Sequence, residues 1–223
     1  LRGTSSQHPM NALLYNFNVK DNLPPQLFNL YIYPIGETAV GRYAEPTVFS
    51  LKKINGNYHL NSTDTLTLKG SIGFGLGTAD FLNDINNPCG VYSIELLVND
   101  VVVYLFRMDE FSFDESSYVN AHSDYHARIE KSRKIHLLVR KPNNRLSLYP
   151  LIVNDGIVRF NPGETSKVDI RVKDAYGNAS ELIFFVKGSA PVIMSQNTDT
   201  ISYNIFKWNT PNYYVNSQIS LII

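Results

Sequence analysis

The residues best suited to catalysis or metal binding form a His-Ser-Asp-Tyr-His stretch at 122–126. On one helix, His122 and His126 would share a face at i and i+4, a spacing that zinc ligands use, and Glu115 or Asp124 would complete the set. A metal-dependent hydrolase using His122, Asp124 and His126 is therefore one hypothesis. The glutamate beside the first histidine of the helical zinc motif is absent, and no third histidine lies at ligand spacing. The sequence favours a pair of solvated loop histidines over this metal site.

Other catalytic signatures are absent or incomplete. The remaining histidines, His8, His59 and His136, are scattered, and each is expected on a polar strand face or in a turn. No Gly-x-Ser-x-Gly nucleophile motif occurs. The glycine-rich segment 70–77 lacks the Gly-Lys-Ser/Thr ending of a phosphate loop and leads into no helix. Its glycines are expected to mark a β-bulge, or a close backbone approach where the strand leaves the sheet.

Carboxylate and amide side chains occur in two loops that one fold would bring together. In an immunoglobulin-like sandwich, the loop after the second strand and the last hairpin loop lie at the same end. Asp80, Asp84 and Asn87 would then lie near Asp174 and Asn178. Such oxygen ligands suit calcium, so the calcium candidates are Asp80, Asp84, Asp174 and Asn178. Asp and Asn also cap turns through their own backbone, and the sequence favours that interpretation.

Basic residues are concentrated between 128 and 145. Those expected to contact an anionic glycan or another subunit are Arg128, Lys131, Arg133 and Lys134. Aromatic residues between 203 and 214, with Trp208 among them, would extend a sugar-binding surface. These features make a carbohydrate- or peptidoglycan-binding module a second hypothesis. A run of basic residues of this kind more often forms a solvent-exposed face. The nearest acidic residues that could balance its charge lie within 109–115.

The composition predicts a mainly β protein. The chain has 223 residues, enough to bury one or two cores without disulfides or a structural metal. Abundant Tyr, Phe, Val and Ile, with 11 Pro and 13 Gly, favour strands joined by turns. The 20 basic and 20 acidic side chains give zero net charge, which argues against a nucleic-acid partner. Cys89 is the single cysteine, and no apolar run is long enough for a transmembrane helix.

The strand pattern indicates an immunoglobulin-like β-sandwich with a long insertion. In segment 27–33 the odd-numbered and the even-numbered residues are both largely apolar, which predicts a strand packed on both faces. Hairpins are predicted at Asn55-Gly56, at Asn99-Asp100 and at Gly177-Asn178. Further strands are predicted at 65–74, 135–140, 146–149, 156–160 and 166–172. The last predicted element covers 168–186, as two alternating strands around the Gly177-Asn178 turn.

The predicted domain plan has three parts. Residues 1–22 form the exit segment of an upstream domain and a linker, because Pro24-Pro25 marks a boundary. Residues 23–188 form the sandwich, with its insertion at about 109–150. Residues 189–223 form a linker and the start of a further β region. We expect the chain to begin and end inside a longer protein, since its last residues are an apolar run without a closing turn.

Longer strings of residues resemble a known family. They are Lys20–Pro25, Ser71–Gly75, Asn87–Val98, Met108–Glu115, Pro142–Tyr149 and Val172–Asn178. Over about residues 1–190 the chain is similar to the region that follows the peptidase domain in envelope zinc metallopeptidases of the lysostaphin and LytM type. Residues 1–17 look like the last strand and exit of that peptidase domain.

The resemblance implies a location and partners but no activity for this chain. That family binds zinc through His-x-x-x-Asp and His-x-His motifs, and neither occurs here. Zinc is therefore implied only for an upstream catalytic domain. The expected function is a non-catalytic accessory region of a cell-wall peptidase, in the periplasm or cell envelope of a Gram-negative bacterium. Its expected partners are the upstream domain and, further, peptidoglycan or another envelope protein.

Overall fold

A computed structural model describes residues 9–15, 19–35, 45–62, 65–110 and 112–190. The mainly β class expected from the sequence is confirmed, because strands account for 49% of the structure and form one curled sheet with few helices. No helix among these residues is both long and apolar enough to cross a bilayer. The further β region expected after Ala190, and Trp208 within it, lie outside the described residues.

The elements are short and joined by tight turns. The strands are β1 (Gln26–Ile35), β2 (Thr47–Ile54), β3 (Asn57–Leu60), β4 (Thr65–Lys69), β5 (Ser71–Ala79), β6 (Ser93–Val98), β7 (Val101–Arg107), β8 (His136–Leu137), β9 (Leu151–Ile152), β10 (Val158–Arg159), β11 (Thr165–Lys173) and β12 (Ala179–Ser189). The α-helices are α1 (Val119–His122) and α2 (Tyr125–Lys131), and 3-10 helices cover Ala12–Leu14, Phe113–Tyr118 and Asn154–Gly156.

The strands form two layers that share β2. The order is β10-β5-β1-β2-β3-β12-β11-β6-β7-β9, with β4 beside β12 and β8 beside β5. Residues 47–50 of β2 pair with β1, whereas residues 51–54 pair with β3. The hairpins predicted at Asn55-Gly56 and Asn99-Asp100 are confirmed, and all four residues have the positive φ that a two-residue turn of this kind needs.

The main core lies between the two layers. Alternate residues of β12 point inward, so that Leu182, Phe184 and Val186 are fully buried. Phe184 meets Phe74 of the opposite layer edge to face, with ring centroids 5.9 Å apart. Burying such aromatic pairs drives the two layers together.

A second, smaller core covers the outer face of β1 and β5. It contains the buried side chains of Tyr31, Tyr33, Ala127, Ile135, Leu137 and Val139. Leu30 and Ile32 lie on the other face of β1, in the main core. The prediction that this strand is packed on both faces is therefore confirmed over 30–33, and the inserted segment provides the second layer of packing.

Four predicted strands differ in the structure, and one of them, predicted at 156–160, is reduced to β10. The strand predicted at 65–74 breaks at Gly70, whose φ is +75°, so that β4 pairs with β12 and β5 with β1. The strand predicted at 135–140 is reduced to β8. Residues 146–149 form no strand; there the Asn144 side chain accepts the Leu146 amide hydrogen, and Leu148 O accepts the Arg107 amide hydrogen.

Residues 151–159 contain the strands at both ends of the strand order. β9 pairs with β7 at one end, and β10 pairs with β5 at the other. The turn at Asn154–Gly156 joins them, and Gly156 adopts a φ of +78°. Residues 151–159 therefore flank the outermost long strand of each layer.

The segment before β1 is hydrogen bonded to the sandwich. Asn11 donates its backbone N–H to Asp109 O at 2.8 Å and its Nδ2 to Met108 O at 3.1 Å. Farther along, Asn178 Nδ2 donates to Asp21 O at 3.2 Å and Ser180 Oγ donates to Pro25 O at 2.6 Å. The described part of the predicted exit segment and linker is thus fixed at both of its ends.

Candidate functional site

Three carboxylates from distant parts of the sequence meet at one end of the sandwich. Asp21 precedes β1, Asp80 directly follows β5, and Asp174 directly follows β11. One carboxylate oxygen from each residue lies within 4.8 Å of the others. Among the described residues, this is the one group of three or more potential metal ligands at such short distances.

The turn between β11 and β12 holds Asp174 in place. Its Oδ1 accepts the backbone N–H groups of Tyr176 at 2.9 Å and Asn178 at 2.8 Å. Its Oδ2 accepts Asn178 Nδ2 at 2.6 Å. The carboxylate therefore caps its own turn, as the sequence favoured, and is also fixed in orientation toward the other two carboxylates.

Asp80 and Asp21 are less well satisfied. Asp80 is 2% exposed, and its backbone N–H and C=O bond to Cys89 across the base of the loop. Asp80 Oδ1 and Asp21 Oδ2 are buried atoms without a hydrogen-bond partner. The other oxygen of Asp21, Oδ1, accepts the Leu23 amide hydrogen. Buried carboxylate oxygens in this state need a cation or a proton to offset their desolvation.

The electrostatics of the cluster oppose full ionisation. Burial raises the pKa of Asp80 to about 6, and the charges of Asp174 and Asp21 add to that rise, although a hydrogen bond from the Phe81 backbone opposes it. Burial also raises the pKa of Asp174, although the hydrogen bonds from Asn178 and Tyr176 oppose the effect. Two unit charges about 5 Å apart repel by on the order of 3 kcal/mol at an effective dielectric constant of about 20. The cluster is thus arranged to accept positive charge.

The four calcium candidates of the sequence do not all come together. Asp80 and Asp174 meet as predicted, and Asn178 lies beside them as a donor through Nδ2. Asp84 is exposed, has a φ of +61° and lies outside the cluster. Asp21 takes its place as the third carboxylate. Asp21 was not predicted, because it stands in a polar segment before two prolines, where aspartate is common.

A second group of polar residues lies within the insertion and packs against Phe106 of β7. His122 is 5% exposed and stacks on Phe106, with ring centroids 4.2 Å apart. Its Nε2 lies 3.0 Å from His136 Nδ1, and its Nδ1 lies 3.2 Å from Tyr149 Oη. Asn144 Nδ2 donates to Tyr149 Oη at 3.1 Å. A consistent assignment has Tyr149 donating to His122 and His122 donating to His136, with both imidazoles neutral.

Burial keeps these histidines neutral. It lowers the pKa of His122 well below its usual value, with a further contribution from His136. It lowers the pKa of His136 to about 4, and the charge of Lys134 acts in the same direction. His136 was expected on a polar face, but its side chain packs against His122 and Phe106. The apolar neighbours Ile135 and Leu137 were the signal for its burial.

The His122, Asp124 and His126 set does not form a shared site. α1 ends at His122 and Ser123 is extended, so the i and i+4 relation on one helix is not formed. Asp124 caps α2 by accepting the Ala127 amide hydrogen at 3.0 Å and accepts the Tyr33 hydroxyl at 2.7 Å. His126 is on the surface and lies 3.0 Å from Glu130.

The basic candidates are all exposed. Arg128 and Lys131 lie in the last turn of α2, where positive charge is favourable, and Arg133 and Lys134 follow it. Lys131 Nζ pairs with Glu45 at 3.0 Å. Trp208, the remaining binding candidate, lies outside the described residues.

Comparisons of the chain with protein-family models, with curated proteins and with solved structures give no match.

Proposed function

We propose that this chain is a non-catalytic accessory module of a cell-wall zinc metallopeptidase, acting in the periplasm or cell envelope. Its role is to position the catalytic domain that precedes it. The proposal combines the resemblance of residues 1–190 to the region following lysostaphin- and LytM-type peptidase domains with one structural observation, the attachment of the segment before β1.

The attachment of that segment carries the proposal. A flexible linker would leave its backbone groups to water, whereas Asn11 bonds to Asp109 and Met108, and Asp21 and Pro25 accept hydrogen bonds from β12 and its preceding turn. A chain entering the module along this route is restrained over two separate regions of the sandwich. Such restraint suits a module that fixes the direction of an upstream domain.

The state of the histidines supports the non-catalytic part of the proposal. Within the insertion, His122 bonds to both His136 and Tyr149, and His126 pairs with Glu130. A hydrolase needs its base or metal ligands at a surface that substrate can reach. These side chains are used for packing and surface pairing instead.

A peptidoglycan-binding role is the second candidate, and the surface of α2 favours it. Tyr125 and Ile129 are 51% and 63% exposed, and Arg128 is exposed between them. An aromatic ring beside a cationic side chain is a suitable contact for an anionic sugar polymer. The basic residues named above would contribute the charge.

The coding sequence upstream of residue 1 gives the first test. We expect it to encode a domain with His-x-x-x-Asp and His-x-His motifs. If neither motif is found there, the association with a peptidase is wrong.

Purified peptidoglycan sacculi give the second test. The chain is incubated with sacculi at moderate salt, the sacculi are sedimented, and both the bound chain and the released muropeptides are measured. If the module only positions the upstream domain, the chain should neither sediment with the sacculi nor release muropeptides. Retention that is lost in an Arg128→Ala, Lys134→Ala double variant supports the binding module, with Lys53→Ala as the surface-charge control. Released muropeptides would contradict a non-catalytic chain.

A further inference from the structure

We propose that Asp21, Asp80 and Asp174 bind one calcium ion, which joins the segment before β1 to the loop after β5 and to the β11–β12 turn. This assignment does not depend on the proposed function, because all three residues belong to this chain.

The spacing of the carboxylates fits one shared ion. Calcium binds oxygen ligands at about 2.3–2.6 Å, so two oxygens on the same ion lie no more than about 5 Å apart. The ligand oxygens of the three residues lie within 4.8 Å of one another. The three segments are therefore already close enough for simultaneous coordination.

An independent observation points to a ligand at this position. Asp80 is 2% exposed, and its Oδ1 has no hydrogen-bond partner. Asp21 Oδ2 is likewise buried and unpartnered. The charges that act on Asp80 are the carboxylates of Asp174 and Asp21. A buried carboxylate among carboxylates is unfavourable unless a cation lies between them.

The chemistry of the donors favours calcium over other metals. All three ligands are hard carboxylate oxygens, which disfavours zinc and other metals that prefer nitrogen or sulfur. Calcium tolerates irregular geometry and completes its shell with water or carbonyl oxygens, whereas magnesium needs a nearly ideal octahedron at shorter distances. The turn amides that bond Asp174 hold this ligand in a fixed orientation, as partners of metal ligands commonly do.

Calcium titration of the purified chain tests the proposal. After treatment with EDTA, the chain is titrated with CaCl2 at pH 7.5 by calorimetry and by thermal unfolding. We expect one ion per chain and a rise of at least about 5 °C in the unfolding midpoint at saturation. Magnesium chloride at the same concentration should give a much smaller rise.

Two variants separate the site from general effects of calcium. Asp80→Asn should lose at least about tenfold in calcium affinity, because one of three charged ligands is removed. Asp84→Asn, an exposed change in the same loop, should bind calcium like the unmodified chain. In EDTA, Asp80→Asn should unfold at or above the midpoint of the unmodified chain, since it removes a buried negative charge. Should Asp80→Asn fail to fold, Asp21→Asn supplies the same comparison.

Three results would overturn the proposal. The first is an unmodified chain whose midpoint does not respond to calcium, which would leave a shared proton as the explanation of the cluster. The second is equal calcium affinity in Asp80→Asn and Asp84→Asn. The third is an equal response to magnesium, which would contradict the choice of calcium.

Discussion

His122 shows how surroundings determine the state of a titratable side chain. It lies between the Phe106 ring, the Tyr149 hydroxyl and the His136 ring, and it is 5% exposed. Each ring nitrogen has a partner, so the neutral form is fully hydrogen bonded. In the charged form His122 Nδ1 would also carry a proton, and it could no longer accept the hydrogen of the Tyr149 hydroxyl. Acid should therefore act on the fold through this pair.

We expect acidification to weaken the fold through His122 and His136. Their folded pKa values lie below the unfolded value of about 6.5, at about 4 for His136, so the unfolded chain binds more protons in this window. Their contribution is complete above pH 6.5 and is lost as the pH falls toward 4, with a slope of up to about 1.4 kcal/mol per pH unit for each histidine. Urea unfolding between pH 8 and pH 4 measures this slope.

A matched pair of variants isolates the contribution of the buried histidines. His122→Gln should show a shallower loss of stability on acidification than His126→Gln, in which His122 and His136 both remain. The comparison is needed because the raised pKa values of Asp80 and Asp169, each about 6, act in the opposite direction in the same window. Equal slopes in the two variants would contradict the prediction.

Individual residues were predictable where their immediate neighbours decide their role. Asp174 precedes a Gly-Asn turn, and its capping of that turn follows from local chemistry. Asp21 joins the cluster only because the segment before β1 folds back onto the β11–β12 turn. Contacts between distant segments leave no local signal, and the pairing of His122 with His136 was missed for the same reason.

At the scale of elements, the glycine-rich segment 70–77 proves to be a close-packing strand. Gly73, Gly75 and Gly77 alternate along β5 and pair with β1. A Cβ at Gly75 would lie 2.9 Å from Tyr33 Cε2 and 3.0 Å from Ile135 Cγ2. The insertion can approach β5 closely because these positions have no side chain. The close neighbours are side chains and residues 71–79 stay in the strand, so these glycines do not mark the predicted close backbone approach where the strand leaves the sheet.

Adding one methyl group to β5 tests this packing. Gly75→Ala should destabilise the fold by about 1–3 kcal/mol, because Tyr33 is held by its bond to Asp124 and cannot move aside freely. Gly77→Ala is the control, since its Cβ would meet ordinary contacts at 3.5 Å and beyond. This control should be neutral or slightly stabilising in urea unfolding. Equal stability of the two variants would rule out the packing argument.

The elements themselves were more predictable than their connections. Alternation and turn chemistry located β1, the β2–β3 and β6–β7 hairpins and the β11–β12 hairpin. The pattern at 65–74 gave no sign that Gly70 would divide it, because both halves alternate in the same way. Which layer each half joins depends on its partners, β12 and β1, and a single sequence does not specify them.

At the scale of the whole molecule, residues 151–159 protect two strand edges. β5 and β7 are the outermost long strands, and the two-residue strands β10 and β9 flank them. Long unpaired edges invite pairing with another chain. The position of Gly156 is therefore sensitive, because a Cβ there would overlap Leu138 O.

We expect Gly156→Ala to increase self-association by displacing this segment. Gly163→Ala is the matched control, because Gly163 has a similar φ of +83° but open space around its Cβ position. Backbone strain of roughly 1–2 kcal/mol is common to both variants, and only Gly156→Ala adds the clash. Size-exclusion chromatography with light scattering should show larger species for Gly156→Ala alone. The same elution profile for both variants would contradict the role assigned to the segment.

The sharing of β2 by the two layers has a consequence for cooperativity. Its first half belongs to one ladder and its second half to the other, within eight consecutive residues. Unfolding of one layer releases half of a strand whose other half pairs with the second layer. Amide exchange in β1 and in β3 should therefore report one common opening event, and the described sandwich should melt as a single unit.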